Sequence, residues 1–221
     1  MSAIKMLKLD FLSVRAYIKS YILFLIYPFL FFDMGVIGIG AMCGVMFTFL
    51  AATVFSLQEK NRMERLYSAV AMPERGVVRG RYLFLAAHAL TVCLVIIPLT
   101  ILASRFTGRE TSPAQALLAM GVAFVLFWLT AGLQAPLFFR YGYTKMRMIT
   151  YAPILVIMMV PFIVFNYVVS DNTRAAISER ASAIADRVSG AELAVIFFAL
   201  GIIFMLVSYL CAVRGYRGAK G

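Results

Sequence analysis

Long apolar runs separated by short polar breaks organise this chain, and the lengths of both predict its fold. Ser20 to Phe55 spans 36 residues with a single charge, Asp33. As one continuous helix it would extend ~54 Å, against a bilayer core of ~30 Å. The run is therefore expected to fold as two spans, about 20–32 and 35–55, with Asp33 at the turn and Gly35 free to take a left-handed conformation. Four further runs, 83–104, 114–139, 149–169 and 191–213, are each long enough to cross. The pattern predicts an all-α integral membrane protein, a single transmembrane domain over 1–221 with six transmembrane helices.

The breaks between runs have patterns of their own. In residues 1–19, Ile4, Leu7, Phe11, Val14 and Ile18 form one helical stripe, and Lys5, Lys8, Arg15 and Lys19 an adjacent basic one, as in a helix lying in the headgroup layer. No small-residue cleavage site follows the first run, so the segment is read as retained rather than as a signal peptide. Between the second and third spans, residues 56–82 open with Ser56 and Glu59 at capping-box spacing. Met63, Leu66, Tyr67 and Val70 then recur at helical spacing opposite Lys60, Arg62 and Arg65. A short amphipathic helix is predicted to Met72, broken by Pro73, with a turn at Gly76 and Gly80 and re-entry into the bilayer at Arg79 and Arg81. Over 170–190, Ile177, Ala181, Ile184 and Val188 oppose Glu179, Ser182 and Asp186, which predicts an amphipathic helix on the outer surface.

Charge then orients the spans. The composition is 63% hydrophobic and 14% charged, far from the balance of a soluble domain. With six spans, 16 of the 21 basic residues fall on the side of the N-terminus and five on the other, which makes both termini cytoplasmic. The net charge of +11 is distributed in clusters beside apolar runs, the membrane pattern rather than that of a nucleic-acid binder. Cys43, Cys93 and Cys211 lie within apolar runs, without the spacing of a metal or redox site.

Candidate chemistry is sparse. No Asp, Glu, Lys or Arg lies deep within the predicted spans, which disfavours an ion-coupled transporter. His88, Gln134 and Asn166, with Thr91, Thr130 and Ser208, are the polar side chains there, suited to contacts between helices or to a translocation path. Gly40 and Gly44 form a GxxxG pair able to seat a close helix contact. Pro98, Pro136, Pro153 and Pro161 are candidate kinks. The chain lacks HExxH, a Ser-His-Asp set and GxxxxGK[ST], so no catalytic or metal site is expected, no cofactor is assigned to this chain, and any ATP and Mg must be held by another polypeptide.

Two segments resemble a known family. Phe55 to Tyr82, with F-x-x-x-E-K-N, the M-P-x-R turn at Met72 to Arg75 and R-G-R-Y at Arg79 to Tyr82, is similar to the first cytoplasmic loop of small bacterial ABC-2 type exporter permeases. Ala135 to Ile149, APLFFRYGYTKMRMI, resembles that family's segment after the fourth span. Met72 stands where leucine is usual, Glu74 adds a charge, and Arg81 replaces a lysine. The resemblance implies a permease of the bacterial plasma membrane that pairs with a second copy or a sibling permease, and is driven by a separate ABC ATP-binding subunit. Residues 1–19 would be its interfacial elbow helix, with membrane lipid as a partner, and 56–82 would carry a cytoplasmic coupling helix. It further implies an ATPase contact through Glu59, Lys60, Arg62, Glu64, Arg65, Tyr67, Pro73, Glu74 and Arg75, with a second loop at Arg140, Gly142, Lys145 and Arg147. The implied cargo is an amphipathic peptide, such as a phenol-soluble modulin, an antibiotic or a lipid-like molecule. An ATPase-independent channel or scaffold is the alternative, and an intramembrane enzyme a third reading.

Overall fold

The computed structural model describes residues 3–17, 19, 35–63, 67, 73–108, 111–152, 169–170, 173, 176 and 189–218, and every regular element among them is helical. Helix α1 covers Ala3–Val14, followed by a 3-10 turn at Arg15–Tyr17. The long helices are α2 Gly35–Lys60, α3 Glu74–Thr107, α4 Pro113–Tyr141 and α5 Gly190–Gly218. All four are long and apolar enough to cross a membrane. The predicted spans 35–55, 83–104, 114–139 and 191–213 fall within them. The predicted span 20–32, most of 149–169 and most of the outer helix over 170–190 lie outside the described residues.

Local chemistry accounts for the ends of these helices. Gly35 starts α2 at a φ of +71°, a conformation costly for any residue with a Cβ. Gly108, at +65°, closes α3. Ser112 then caps α4: its hydroxyl accepts from the Gln115 backbone N–H at 3.2 Å, the Gln115 side chain accepts from the Ser112 N–H at 3.2 Å, and Pro113 fills the first helical position. Ser189 and Glu192 make the same reciprocal pair at the start of α5.

Small residues set the packing. A Cβ on Gly40 would lie 2.5 Å from the carbonyl oxygen of Ala119, and one on Gly44 2.5 Å from that of Ala123. The GxxxG pair is thus the seam between α2 and α4, with alanines at matching spacing on the other side. Phe55 meets Phe138 and Phe139 further along, so α2 and α4 run parallel. Gly121 against Ala194 and Gly132 against Ser208 show that α5 also runs parallel to α4. The start of α3 meets the end of α2, so α3 runs antiparallel to all three. A buried Thr48 to Thr130 hydroxyl contact of 2.6 Å reinforces the α2–α4 seam, and the Tyr82 hydroxyl bonds Ser208, which donates to the Gly132 carbonyl at 2.7 Å.

Two sequence expectations are corrected. Ser56 does not cap a new helix: with no glycine or proline before it, α2 continues unbroken to Lys60. Gly76 and Gly80 do not form a turn, because α3 starts at Glu74 and contains both. Gly80 is needed instead for close approach, since a Cβ there would lie 2.5 Å from the Cβ of Met6. On α1, Met6, Asp10 and Val14 are buried, Leu7 is half-buried, and Ile4 and Phe11 are exposed. Close contact with α3, rather than hydrophobicity alone, selects the buried face.

Candidate functional site

At the end of the bundle where α2 and α4 finish and α3 starts, basic side chains collect and the links between helices become polar. Their centre is Arg81, two turns into α3 and 1% exposed. Its Nε faces Asp10 Oδ2 of α1 at 3.3 Å, an ion pair that lacks the alignment of a hydrogen bond. Its Nη2 donates to Gln58 Oε1 of α2 at 2.8 Å and to the Tyr67 hydroxyl at 3.3 Å. The guanidinium also lies 5.0 Å from the centre of the Phe55 ring. One side chain therefore joins α1, the end of α2, the connecting segment at Tyr67 and the start of α3.

Burial costs the charged form of this cluster dearly. Desolvation pushes the Asp10 carboxyl up to about 6 from an ordinary 3.8, although the Arg81 guanidinium pulls it the other way. The Tyr67 hydroxyl is likewise raised by burial, against the pull of Arg81.

A second link closes the same end. Glu59, in the last turn of α2, accepts from the Thr144 backbone N–H through Oε2 at 3.0 Å. Gly142 makes this possible: at φ +85° it ends α4, and its own N–H bonds the Phe138 carbonyl at 3.0 Å. A Cβ on Gly142 would lie 3.3 Å from Glu59 Oε2. Residues 143–152 are helical, so the second loop reduces to Gly142, with Arg140 in α4 and Lys145 and Arg147 in the following helix. Glu59 accepts at the N-terminal end of that helix, where a carboxylate is favoured.

The sequence-predicted residues divide accordingly. Lys60, Arg62, Pro73, Arg75, Arg140, Lys145 and Arg147 are exposed, and Arg62 holds a φ of +49° just past the end of α2. Tyr67 is buried against Arg81, and Glu74 opens α3. Glu64 and Arg65 lie outside the described residues, as does most of the predicted helix running to Met72. Of the polar residues in the spans, His88 is buried with Nδ1 3.2 Å from the Phe84 carbonyl. Gln134 is buried beside a cavity of about 10 Å³ lined by Thr48, Phe55 and Leu85. Asn166 lies outside the described residues.

Sequence reasoning missed Asp10 and Gln58. Asp10 carried a signal, as the one acid in a segment, 1–19, that holds Lys5, Lys8, Arg15 and Lys19. Gln58 carried none, because a glutamine near the end of a span is ordinary.

A bundle of long apolar helices with a basic, polar-linked end defines a multi-pass membrane protein. The family described as ABC-2 family transporter protein matches residues 5–217, and the chain belongs to it. It is accordingly the transmembrane permease component of an ABC transporter, whose family implies partnership with an ABC ATP-binding subunit. Comparison with curated proteins and with solved structures gave no match.

Proposed function

We propose that the chain is the permease subunit of an ATP-driven exporter in a bacterial plasma membrane, that it works as a dimer with a second copy or a sibling permease, and that it moves an amphipathic peptide, antibiotic or lipid-like cargo. Both termini lie in the cytoplasm, and α1 rests in the headgroup layer. The ATP-binding subunit, with its ATP and Mg, docks on the basic end, using Lys60, Arg62, Arg75, Arg140, Lys145 and Arg147 around a coupling helix that includes Glu64, Arg65 and Tyr67.

The observation that carries this reading is the Arg81 junction. A push on the connecting segment reaches Tyr67, and from there Arg81, α1 and the end of α2 move together. Glu59 and Thr144 add the segment after α4 to the same body. Because α3 continues without a break from Glu74 into the membrane, ~51 Å for its 34 residues, displacement at Pro73 passes straight into a span. The parallel run of α4 and α5 supports a return crossing between them, as the six-span topology requires.

ATP-dependent uptake into inside-out vesicles tests the direction and the partner together. Vesicles containing this chain and its ATPase should accumulate a fluorescent amphipathic peptide only with ATP, and charge reversal at Arg75 and Lys145 should abolish that ATP-driven uptake. Equilibration without ATP would establish the channel reading instead.

A further inference from the structure

Beside α1 the molecule has a groove of about 440 Å³, lined by Lys8, Phe11, Leu12, Val14 and Arg15 of the N-terminal segment and by His88 and Thr91 of α3. That volume is typical of ligand clefts, which combine a mainly apolar lining with a few polar groups. We infer that the groove is a discrete site for an anionic phospholipid, with Lys8 and Arg15 drawing the phosphate and the apolar lining of Phe11 and Leu12 taking an acyl chain.

Three observations favour this occupant. Lys8 and Arg15 are seven residues apart, two turns along one face, and neither is in an ion pair among the described residues. The acid nearest in sequence, Asp10, is turned away into its pair with Arg81 and does not neutralise them. Phe11 is 48% and Leu12 58% exposed, a large apolar surface immediately beside Lys8 and Arg15. The same helix α3 carries an exposed apolar stripe at Leu90, Leu94, Ile97 and Ile101, a surface suited to the acyl region of the bilayer. Two cations, an apolar wall and a neighbouring exposed apolar stripe match a phospholipid rather than a soluble anion.

The proposal rests on the interfacial placement of α1 given above. Native mass spectrometry of the purified chain in detergent, titrated with phosphatidylglycerol or phosphatidylcholine, tests it. One phosphatidylglycerol should be retained at least tenfold more strongly than phosphatidylcholine. Each cation near an anionic headgroup changes affinity about fivefold, so K8Q/R15Q should weaken retention about 25-fold. Thr91→Trp, which fills the groove and leaves both cations, should remove the retained lipid, and millimolar inorganic phosphate should not displace it. Equal retention of the two lipids would overturn the proposal. So would a phosphatidylglycerol preference that survives Thr91→Trp, which would leave the interfacial helix in place without a groove site. Displacement by phosphate would mark a simple anion site, and an equal loss in the control K145Q/R147Q would mark diffuse attraction; either result would also overturn it.

Discussion

Helices α2 and α5 both run parallel to α4 and both pack against it through glycines, yet they sit in different surroundings. The most apolar part of α2 has a mean hydropathy of 2.0 and is 56% buried, whereas that of α5 reaches 2.7 and is 17% buried. The more hydrophobic helix is the more exposed. In a membrane, where lipid is as apolar as leucine, burial follows close backbone approach and polar links rather than hydrophobicity. Both helices have such contacts, but those of α2 reach several neighbours: α4 through the Gly40 and Gly44 seam and Thr48, α3 through Gln58, and the segment after α4 through Glu59. Helix α5 meets α4 along one stripe and turns Val195, Ile203, Leu206 and Leu210 outward.

Substitutions can break or sharpen this contrast. The largest effect is expected from Arg81→Met, which leaves Asp10 buried without its cation and should cost roughly 3–5 kcal/mol in denaturant titrations of the purified chain. Its sign with pH is fixed. Because the Asp10 carboxyl is raised in the folded protein, the stability it contributes is full below an ordinary 3.8 and is lost as pH rises through about 6. The variant should therefore be weaker at pH 8 than at pH 5, and the additional change Asp10→Asn should flatten that difference.

Next comes the seam itself. Gly44→Leu sets a side chain against the Ala123 backbone, which cannot rotate aside, and should destabilise by about 3 kcal/mol or prevent folding. A smaller effect, about 0.6 kcal/mol, is expected for Thr48→Val, which removes one hydroxyl link across the seam. At the bottom of the scale, Ile203→Ala on the exposed side of α5 should change the unfolding midpoint of the isolated chain by less than about 0.5 kcal/mol. A large loss there would show that α5 already has a partner in the purified protein.

How far the sequence could be read depended on the kind of signal. Apolar runs located the four long helices, and the GxxxG pair marked a close contact, because length and small-residue spacing survive any arrangement of neighbours. Capping patterns were less reliable. The S-x-x-E/Q spacing occurs at Ser56, Ser112 and Ser189, but only the last two cap a helix. Ser112 has Gly108 before it and Pro113 after it, whereas Ser56 follows five residues that give a helix no reason to stop. Freed from that expected role, Glu59 reaches another segment altogether.

The Arg81 junction was the least legible feature. Arg81 reads as an ordinary membrane-flanking cation, and its burial arises only because Gly80 lets α1 lie against α3, bringing Asp10 beside it. Neither residue signals the other across 70 positions of sequence.

The bond from Thr144 to Glu59 also constrains how the chain is made. Its two ends are 85 residues apart, with α3 and α4 between them. While the protein is being synthesised, the end of α2 leaves the insertion machinery with its carboxylate still waiting for a donor that has not yet been translated. The basic end is therefore assembled late, after α4 has been inserted, and a chain that stalls before residue 144 would leave the Glu59 carboxylate without this donor.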